Sequence, residues 1–557
     1  MSYRRIATVT AVLAAGVALV PTLASAGDAP KPAARGANLS GSPLTAAKLA
    51  GFKTFTSPAS RSAYTRKSAG ETASADAAAA ETLTLSAEAT SAYGISLTAD
   101  LSGGTPASAS VTWGDNTGDN AIISGAEATA DHTYVELGTY TVTVTVTDSL
   151  GNTVVNTVTV TTAGSDYTAY GPTRVLDTRY GTGAAKAPVK AHSITQVKFA
   201  GNGGIPAGVT AVVLNVTATE PTAAGFITVY GDGSARPGSS NVNFVKGQTV
   251  PNQVIAPVGA DGKVDFYNDS TGTTELIADV AGYFTATPSS GYSALTPYRL
   301  VDTRYGTGEP KRPLAGKGSF AVQIAGNDGE KLPVSGITAV ALNITSTGSL
   351  GSGFLTAYGD GASRPTASNV NFTTGQTIAN SVITPVGSDG KIRIYNGSTK
   401  ATNVVVDVVG YYSAASASAY VPIAPTRLFD TRVAGTPVSG ALPSGDYIYD
   451  ALSSGDPTIT GFVLNATVTE TTGSGFLTVS PDSNTLADYE NKTATWPAKP
   501  SASTLNWTKG ETVPNLVQAS AGANGIVDFW NSGSGSIALI VDMFGFYQND
   551  TPDPAAA

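Results

Sequence analysis

Pro172-Thr-Arg-Val-Leu-Asp-Thr-Arg179 returns as Pro297-Tyr-Arg-Leu-Val-Asp-Thr-Arg304 and again as Pro425-Thr-Arg-Leu-Phe-Asp-Thr-Arg432. Each copy opens a segment whose later landmarks recur in the same order. Leu214-Asn-Val-Thr217 matches Leu342-Asn-Ile-Thr345 and Leu464-Asn-Ala-Thr467. The segments close on Asp279-Val-Ala-Gly-Tyr-Phe284, Asp407-Val-Val-Gly-Tyr-Tyr412 and Asp542-Met-Phe-Gly-Phe-Tyr547. From Asp177 to Asp302 is 125 residues and from Asp302 to Asp430 is 128. A period this long means tandem domains, because solenoid repeats run about 20–50 residues.

Within a unit, short β runs alternate with Gly, Asn and Pro clusters. Eight such runs predict an antiparallel β-sandwich of the jelly-roll kind, with a closed barrel as the alternative. Val212, Leu214 and Val216 share one face of a strand and recur as Val340/Leu342/Ile344 and Phe462/Leu464/Ala466, so this is the expected core face. Asn215, Asn343 and Asn465 point the other way and read as edge satisfaction. The other recurrent asparagines, Asn252, Asn380 and Asn515 among them, read as turn and edge residues. The connectors Thr285–Ala294 and Ser413–Ala419 are rich in Ser, Ala and Thr and suggest beads on a short string.

Upstream, Thr139 to Thr147 alternates strictly, with Tyr140, Val142, Val144 and Val146 on one face, and Thr153 to Thr161 is its partner strand. This segment, 81–164, carries Trp113-Gly114-Asp115, His132-Thr-Tyr134 and Gly138-Thr-Tyr140. On those residues it resembles the polycystic-kidney-disease-type (PKD) domain, which implies an immunoglobulin-like β-sandwich. The three units, 165–288, 289–414 and 415–549, resemble a repeat of secreted proteins from high-GC Gram-positive bacteria that often accompanies PKD-like domains. The resemblance rests on the Pro-x-Arg-x-x-Asp-Thr-Arg opening, Ser240–Phe244 with Ser368–Phe372, and the Asp-Val-x-Gly-Tyr closing. It implies export and a β-rich module and brings no chemistry with it. The fold class is therefore all-β: a PKD-like sandwich followed by three tandem β-sandwich repeats.

The remaining segments and the totals narrow the function. Residues 1–26 read as a signal peptide, with Arg4 and Arg5 before an apolar run and Ala24-Ser25-Ala26 as the cleavage site. Residues 27–80 read as a flexible leader and 550–557 as a polar tail. No later stretch approaches ~20 consecutive apolar residues. Lys and Arg number 32 against 41 Asp and Glu, a net charge of −9, with no basic run, so neither nucleic acid nor membrane is an expected partner. There is no cysteine, which excludes disulfides and thiolate chemistry. A secreted, extracellular chain is expected.

Only two histidines exist, His132 and His192, and neither sits in the context of a nucleophile triad. Paired acids are the remaining catalytic route, and Asp177 with Asp279 recurs in every unit. Three copies of one pair point to a task that every unit shares. Asp279 lies among Ile277, Val280 and Ala281, and a buried carboxylate requires a partner. The expected arrangement is a structural lock in which the first strand pairs with the last. Arg174 or Arg179 would satisfy Asp279, Arg299 or Arg304 would satisfy Asp407, and Arg427 or Arg432 would satisfy Asp542, with Asp177, Asp302 and Asp430 beside them.

Loop aromatics are the binding candidates, because sugars dock on exposed rings. Tyr180 and Tyr305 follow the opening motif, and Tyr230 and Tyr358 precede Gly-Asp-Gly turns. Unit three is longer: 31 residues separate Gly475 from Asn506, against 18 between Gly225 and Asn243. That insertion carries Tyr489 and Trp496. Asp115, Asp119 and Asp148 are weak calcium candidates on ligand type alone; no other cofactor is expected. The reading is a non-catalytic adhesion or recognition protein that meets polysaccharide, cell-wall or surface polymer, or other secreted proteins. A structural spacer is the alternative and a glycan hydrolase a distant third.

Overall fold

The structure is a computed structural model. It describes residues 36–37, 54–57, 60–61 and 82–550, apart from 103–105, 122–126, 149–152, 328–330, 437 and 454. The signal-peptide reading and the end of the polar tail lie outside the described residues.

Alternation of small β-branched residues with polar ones builds the PKD-like sandwich. One sheet holds Thr82–Ala89, Gly94–Ser102 and Glu127–Thr133. The other runs Thr153–Thr161, Thr139–Asp148, Pro106–Thr112, Gly118–Ala121. Val142, Val144 and Val146 face Leu85, Leu97 and Trp113 in one core. The first sheet extends upstream of residue 81: Thr54–Thr56 and Ser60–Arg61, from the stretch read as flexible, both pair with Thr82–Ala89. Residue 81 is therefore not the edge of this sheet. An unpaired edge strand exposes its backbone groups, and the upstream chain covers them here.

Unit one has eight strands: Asp166–Asp177, Ser193–Lys198, Val209–Thr219, Gly225–Gly231, Val242–Phe244, Val250–Pro257, Lys263–Asn268 and Glu275–Thr285. They form two four-stranded sheets in the orders first-eighth-third-sixth and second-seventh-fourth-fifth. This is jelly-roll connectivity, and units two and three repeat it, with Gly36–Ala37 added in parallel beside Tyr449 and Asp450 at the edge of unit three's outer sheet. The barrel alternative is not what forms. Val212, Leu214 and Val216 enter the core between the sheets, as do Val340/Leu342/Ile344 and Phe462/Leu464/Ala466.

The beads-on-a-string expectation is overturned. The first-eighth-third-sixth sheets are buried on both faces, and their second faces meet around a pseudo-threefold axis. Tyr167, Tyr292 and Tyr420 join Tyr412, Tyr547, Ile255, Ile383 and Leu516 in one cluster drawn from all three units. The connectors themselves are tied down. Tyr167 N donates to Ser290 O at 2.9 Å, Tyr292 N to Ser418 O at 2.9 Å, and Tyr420 N to Ser165 O at 2.8 Å. The third link closes the ring from unit three back to unit one.

Asparagines seal the same interface cyclically. Asn380 Nδ2 donates to Asn215 Oδ1 at 3.0 Å, Asn515 Nδ2 to Asn343 Oδ1 at 3.0 Å, and Asn252 Nδ2 to Asn465 Oδ1 at 3.1 Å. Each donor amide also accepts a backbone N–H from a neighbouring unit, such as Leu516 N on Asn252 Oδ1 at 3.2 Å. These side chains do not make turns. Their faces are dry, so each polar group must find a partner there, and a second asparagine supplies both donor and acceptor.

The PKD-like sandwich sits on this assembly. Ala92 N donates to Gln548 Oε1 at 2.9 Å, and Tyr93 Oη to Ala417 O at 2.8 Å.

Candidate functional site

The opening motif lies where the first strand runs beside the eighth. Register places Arg174 opposite Asp279, Arg299 opposite Asp407 and Arg427 opposite Asp542. In unit one Arg174 grips Asp279 with two parallel bonds, Nε to Oδ1 at 2.9 Å and Nη2 to Oδ2 at 3.1 Å, and reaches Asp177 with Nη1 at 3.1 Å. Arg179 forks onto Asp177 at 2.9 and 2.7 Å. Arg299 with Asp407 and Arg304 with Asp302 repeat this. So do Arg427 with Asp542 and Arg432 with Asp430. The structure thus brings together the four lock residues of each unit, in unit one Arg174, Asp177, Arg179 and Asp279. The inner arginine takes the closing acid and the outer arginine takes its own neighbour.

Burial and charge divide the acids into two kinds. Burial pushes the Asp279, Asp407 and Asp542 carboxyls up, and the arginine beside each opposes it. The hydrogen bonds from Arg179 hold Asp177 below the usual range, and Arg432 does the same for Asp430. At Asp302 burial pulls upward, and the bonds and charge of Arg304 outweigh it.

The lock has an outward consequence. Asp177 O accepts the N–H groups of Tyr180, Gly181 and Thr182 at 3.2, 3.0 and 3.1 Å, which folds the next residues into a tight loop. Gly183, at φ 69°, packs against the backbone of Val175, where a side chain has no room. Tyr180 is pushed out to 73% exposure and Tyr305 to 54%. Their rings are not loose: Arg179 Cζ lies 5.2 Å from the Tyr180 centroid and Arg304 Cζ 5.2 Å from that of Tyr305. Each platform is a tyrosine backed by a guanidinium that a buried carboxylate already holds. Unit three has Val433 at the matching position.

The other aromatic candidates are corrected. Tyr230 and Tyr358 are only 3% and 8% exposed. They lie inside the fourth strand, paired in register with Asp265 and Arg393, so they do not project from the turns that follow. Tyr489 is 6% exposed, on a short helix Leu486–Glu490 that packs onto the outer sheet of unit three. Trp496 keeps 40% exposure with its edge toward Tyr447 and Trp530.

In the PKD sandwich the calcium candidates have other partners. Asp115 Oδ2 lies 2.8 Å from His132 Nε2, and Asp119 accepts Trp113 Nε1 at 2.7 Å. His132 stacks on Trp113 at 4.7 Å, and Tyr134 on Tyr140 at 3.9 Å. The motif residues therefore build one aromatic cluster of two stacked pairs, joined where His132 meets Tyr134 edge to face at 4.7 Å. Asp148 ends a strand opposite Pro106, and its side chain lies outside what the structure describes. Among the described residues no group of three or more His, Cys, Asp or Glu gathers as metal ligands.

Sequence reasoning missed the interface tyrosines and the paired asparagines. Their signal was present: Ser-x-Tyr recurs at 165–167, 290–292 and 418–420, and the third strand is apolar on both faces.

Comparison with protein families matches residues 72–162 to the PKD domain. No curated protein matches the chain. Among the described residues no helix is long and apolar enough to cross a membrane.

Proposed function

We propose, with a PKD domain at residues 72–162 as the premise, that this chain is a non-catalytic extracellular recognition protein. Its ligand would be a polysaccharide or cell-envelope polymer, held on Tyr180 and Tyr305. The observation that carries the reading is the pair of exposed tyrosine platforms on equivalent loops, each braced by an arginine. A sugar ring stacks its apolar C–H face on such a ring and hydrogen-bonds at its edge. Because the units are fixed around one axis, the two platforms are held at a set separation. A repeating polymer could then engage both with avidity.

A structural spacer is the second reading. Val433 in place of a third tyrosine favours it, as does the use of the recurrent asparagines for internal packing.

Co-sedimentation with cellulose, chitin and purified cell-wall sacculi separates the two. Binding by the parent chain, weakened by Tyr180→Ala or Tyr305→Ala and lost in the double variant, supports recognition. An unchanged melting temperature in these variants would place the loss at the surface. No binding to any polymer, or full binding by the double variant, rejects the platforms.

A further inference from the structure

The outer sheet of unit three differs from its two counterparts. On the seventh strand of units one and two, Tyr267 and Tyr395 face outward, and the loop between strands four and five lays an arginine on each. Arg236 Cζ stands 4.0 Å from the Tyr267 centroid and Arg364 Cζ 4.1 Å from that of Tyr395. In unit three the seventh strand carries Trp530 at that place, and the second strand, Tyr447–Asp450, adds Tyr447 and Tyr449 on the same face. Tyr447 and Trp530 stack on one another, centroids 4.3 Å apart and planes within 24°, and Tyr449 follows two residues along the strand. The longer loop covers this face with rings instead of guanidinium.

The way those rings sit is specific. Tyr489 lies flat on Tyr449, centroids 3.6 Å apart and planes within 15°. Its hydroxyl donates to Asp482 and lies 3.0 Å from the Tyr447 hydroxyl. Trp496 stands edge-on, 5.2 Å from Tyr447 and 5.4 Å from Trp530. A planar ring stacked on tyrosine, with a hydroxyl held by a carboxylate and a phenol, makes the contacts that a pyranose makes in a sugar subsite. The cover is a short segment tied across its base, where Asn484 Nδ2 donates to Thr495 O at 2.9 Å and Asn484 Oδ1 accepts Thr495 N at 2.8 Å. Its helix has five residues, is capped by Thr485 and Asp488, and the far end is pinned by Lys499 Nζ to Ser532 Oγ at 2.9 Å.

We propose that the strip of Tyr447, Tyr449 and Trp530, with Asp482 at its margin, is a second carbohydrate platform that the chain's own Tyr489 and Trp496 occupy in place of sugar rings. The ligand class is a pyranose polysaccharide, engaged when the segment 485–500 lifts away. This rests on the recognition reading above but uses a separate surface.

The test starts from a Tyr180→Ala, Tyr305→Ala background, which removes the first platforms. Tyr489→Ala and Trp496→Ala are then added, and binding of cellohexaose, xylohexaose and chitohexaose is measured by calorimetry. The expected result is at least a tenfold gain in affinity for one of the three over the background chain, reversed by Trp530→Ala. Equal affinities in opened and background chains, with melting temperatures retained, overturn the proposal. If the opened chain loses its fold, tryptophan emission of the unaltered chain decides. A shift at saturating oligosaccharide that is absent in Trp496→Phe supports the proposal, and no shift with any of the three overturns it. Failure of the Tyr180 and Tyr305 platforms is read separately, from the parent chain and its double variant.

Discussion

Two buried acids on neighbouring strands, Asp177 and Asp279, shift in opposite directions because their arginines sit differently. Arg174 is the cation that the sheet register places on Asp279, so Arg174→Ala leaves a buried carboxylate without its fork. Removing one partner of a buried pair costs about 3 kcal/mol. Burial already raises the Asp279 carboxyl, and without Arg174 it rises further. The loss should therefore be large at pH 7 and smaller near pH 4, where the carboxyl takes a proton. Urea denaturation at the two pH values measures this, and an equal cost at both would contradict it.

Asp528 gives the complementary case. Burial, then the neighbouring Asp482, pushes it up to about 10, far above its unfolded value near ~3.9. A raised acid contributes most below the unfolded value, and its contribution is lost as pH rises toward 10. Asp528→Asn should thus raise the melting temperature at pH 8, by about 1–2 kcal/mol in stability, and change little at pH 4. A lower melting temperature at pH 8 would show that the carboxylate is needed there.

At the scale of the element, the closing strand has to admit another residue's ring. A Cβ on Gly282 would stand inside the ring of Tyr167, and Gly410 and Gly545 meet Tyr292 and Tyr420 in the same way. That explains the glycine of the Asp-Val-x-Gly-Tyr closing, for which the sequence alone offered no reason. The tyrosine hydroxyls reach backbone carbonyls of the same strand: Tyr167 to Ala281 O at 2.8 Å and Tyr420 to Phe544 O at 2.9 Å. Gly282→Ala forces the ring out of the axis cluster, an overpacking cost of about 1–3 kcal/mol. Thermal denaturation should show it, and no shift in midpoint would mean the ring has another place to go.

The strands themselves were legible, because alternation marks one buried face and Gly, Asn and Pro mark the turns. The lock was legible because an acid within an apolar strand needs a cation. The insertion was not: a tryptophan such as Trp496 in a Pro-rich loop reads equally as a binding ring or as cover for a local apolar patch, and pattern alone does not separate the two. Tyr230 failed for a related reason. It sits one residue before the strand ends, and a strand boundary cannot be placed that finely from pattern alone.

For the whole molecule, the three units pack into one ring around a shared core. Ala211, Val213, Leu214 and Val216 make the third strand apolar on both faces, which suits a strand sandwiched between two layers as well as one facing a sister unit. That ambiguity is why mutual packing escaped the sequence reading while the repeats did not. Asn252→Ala, Asn380→Ala or Asn515→Ala strands a partner amide at a dry interface, costing about 1–3 kcal/mol each. All three should lower one shared calorimetric transition. Three resolved transitions, with only one moved by each variant, would mean the units melt separately.

The hydrogen bond from Tyr420 to Ser165 joins the last unit to the first, so the circuit of contacts does not depend on which two units the backbone happens to connect. A protease nick within 286–289 should therefore yield two fragments that still elute together from a sizing column and part only in denaturant. By the same token, an order of units rotated by one place, with the old ends joined and new ones opened at that bend, ought to reach the same fold.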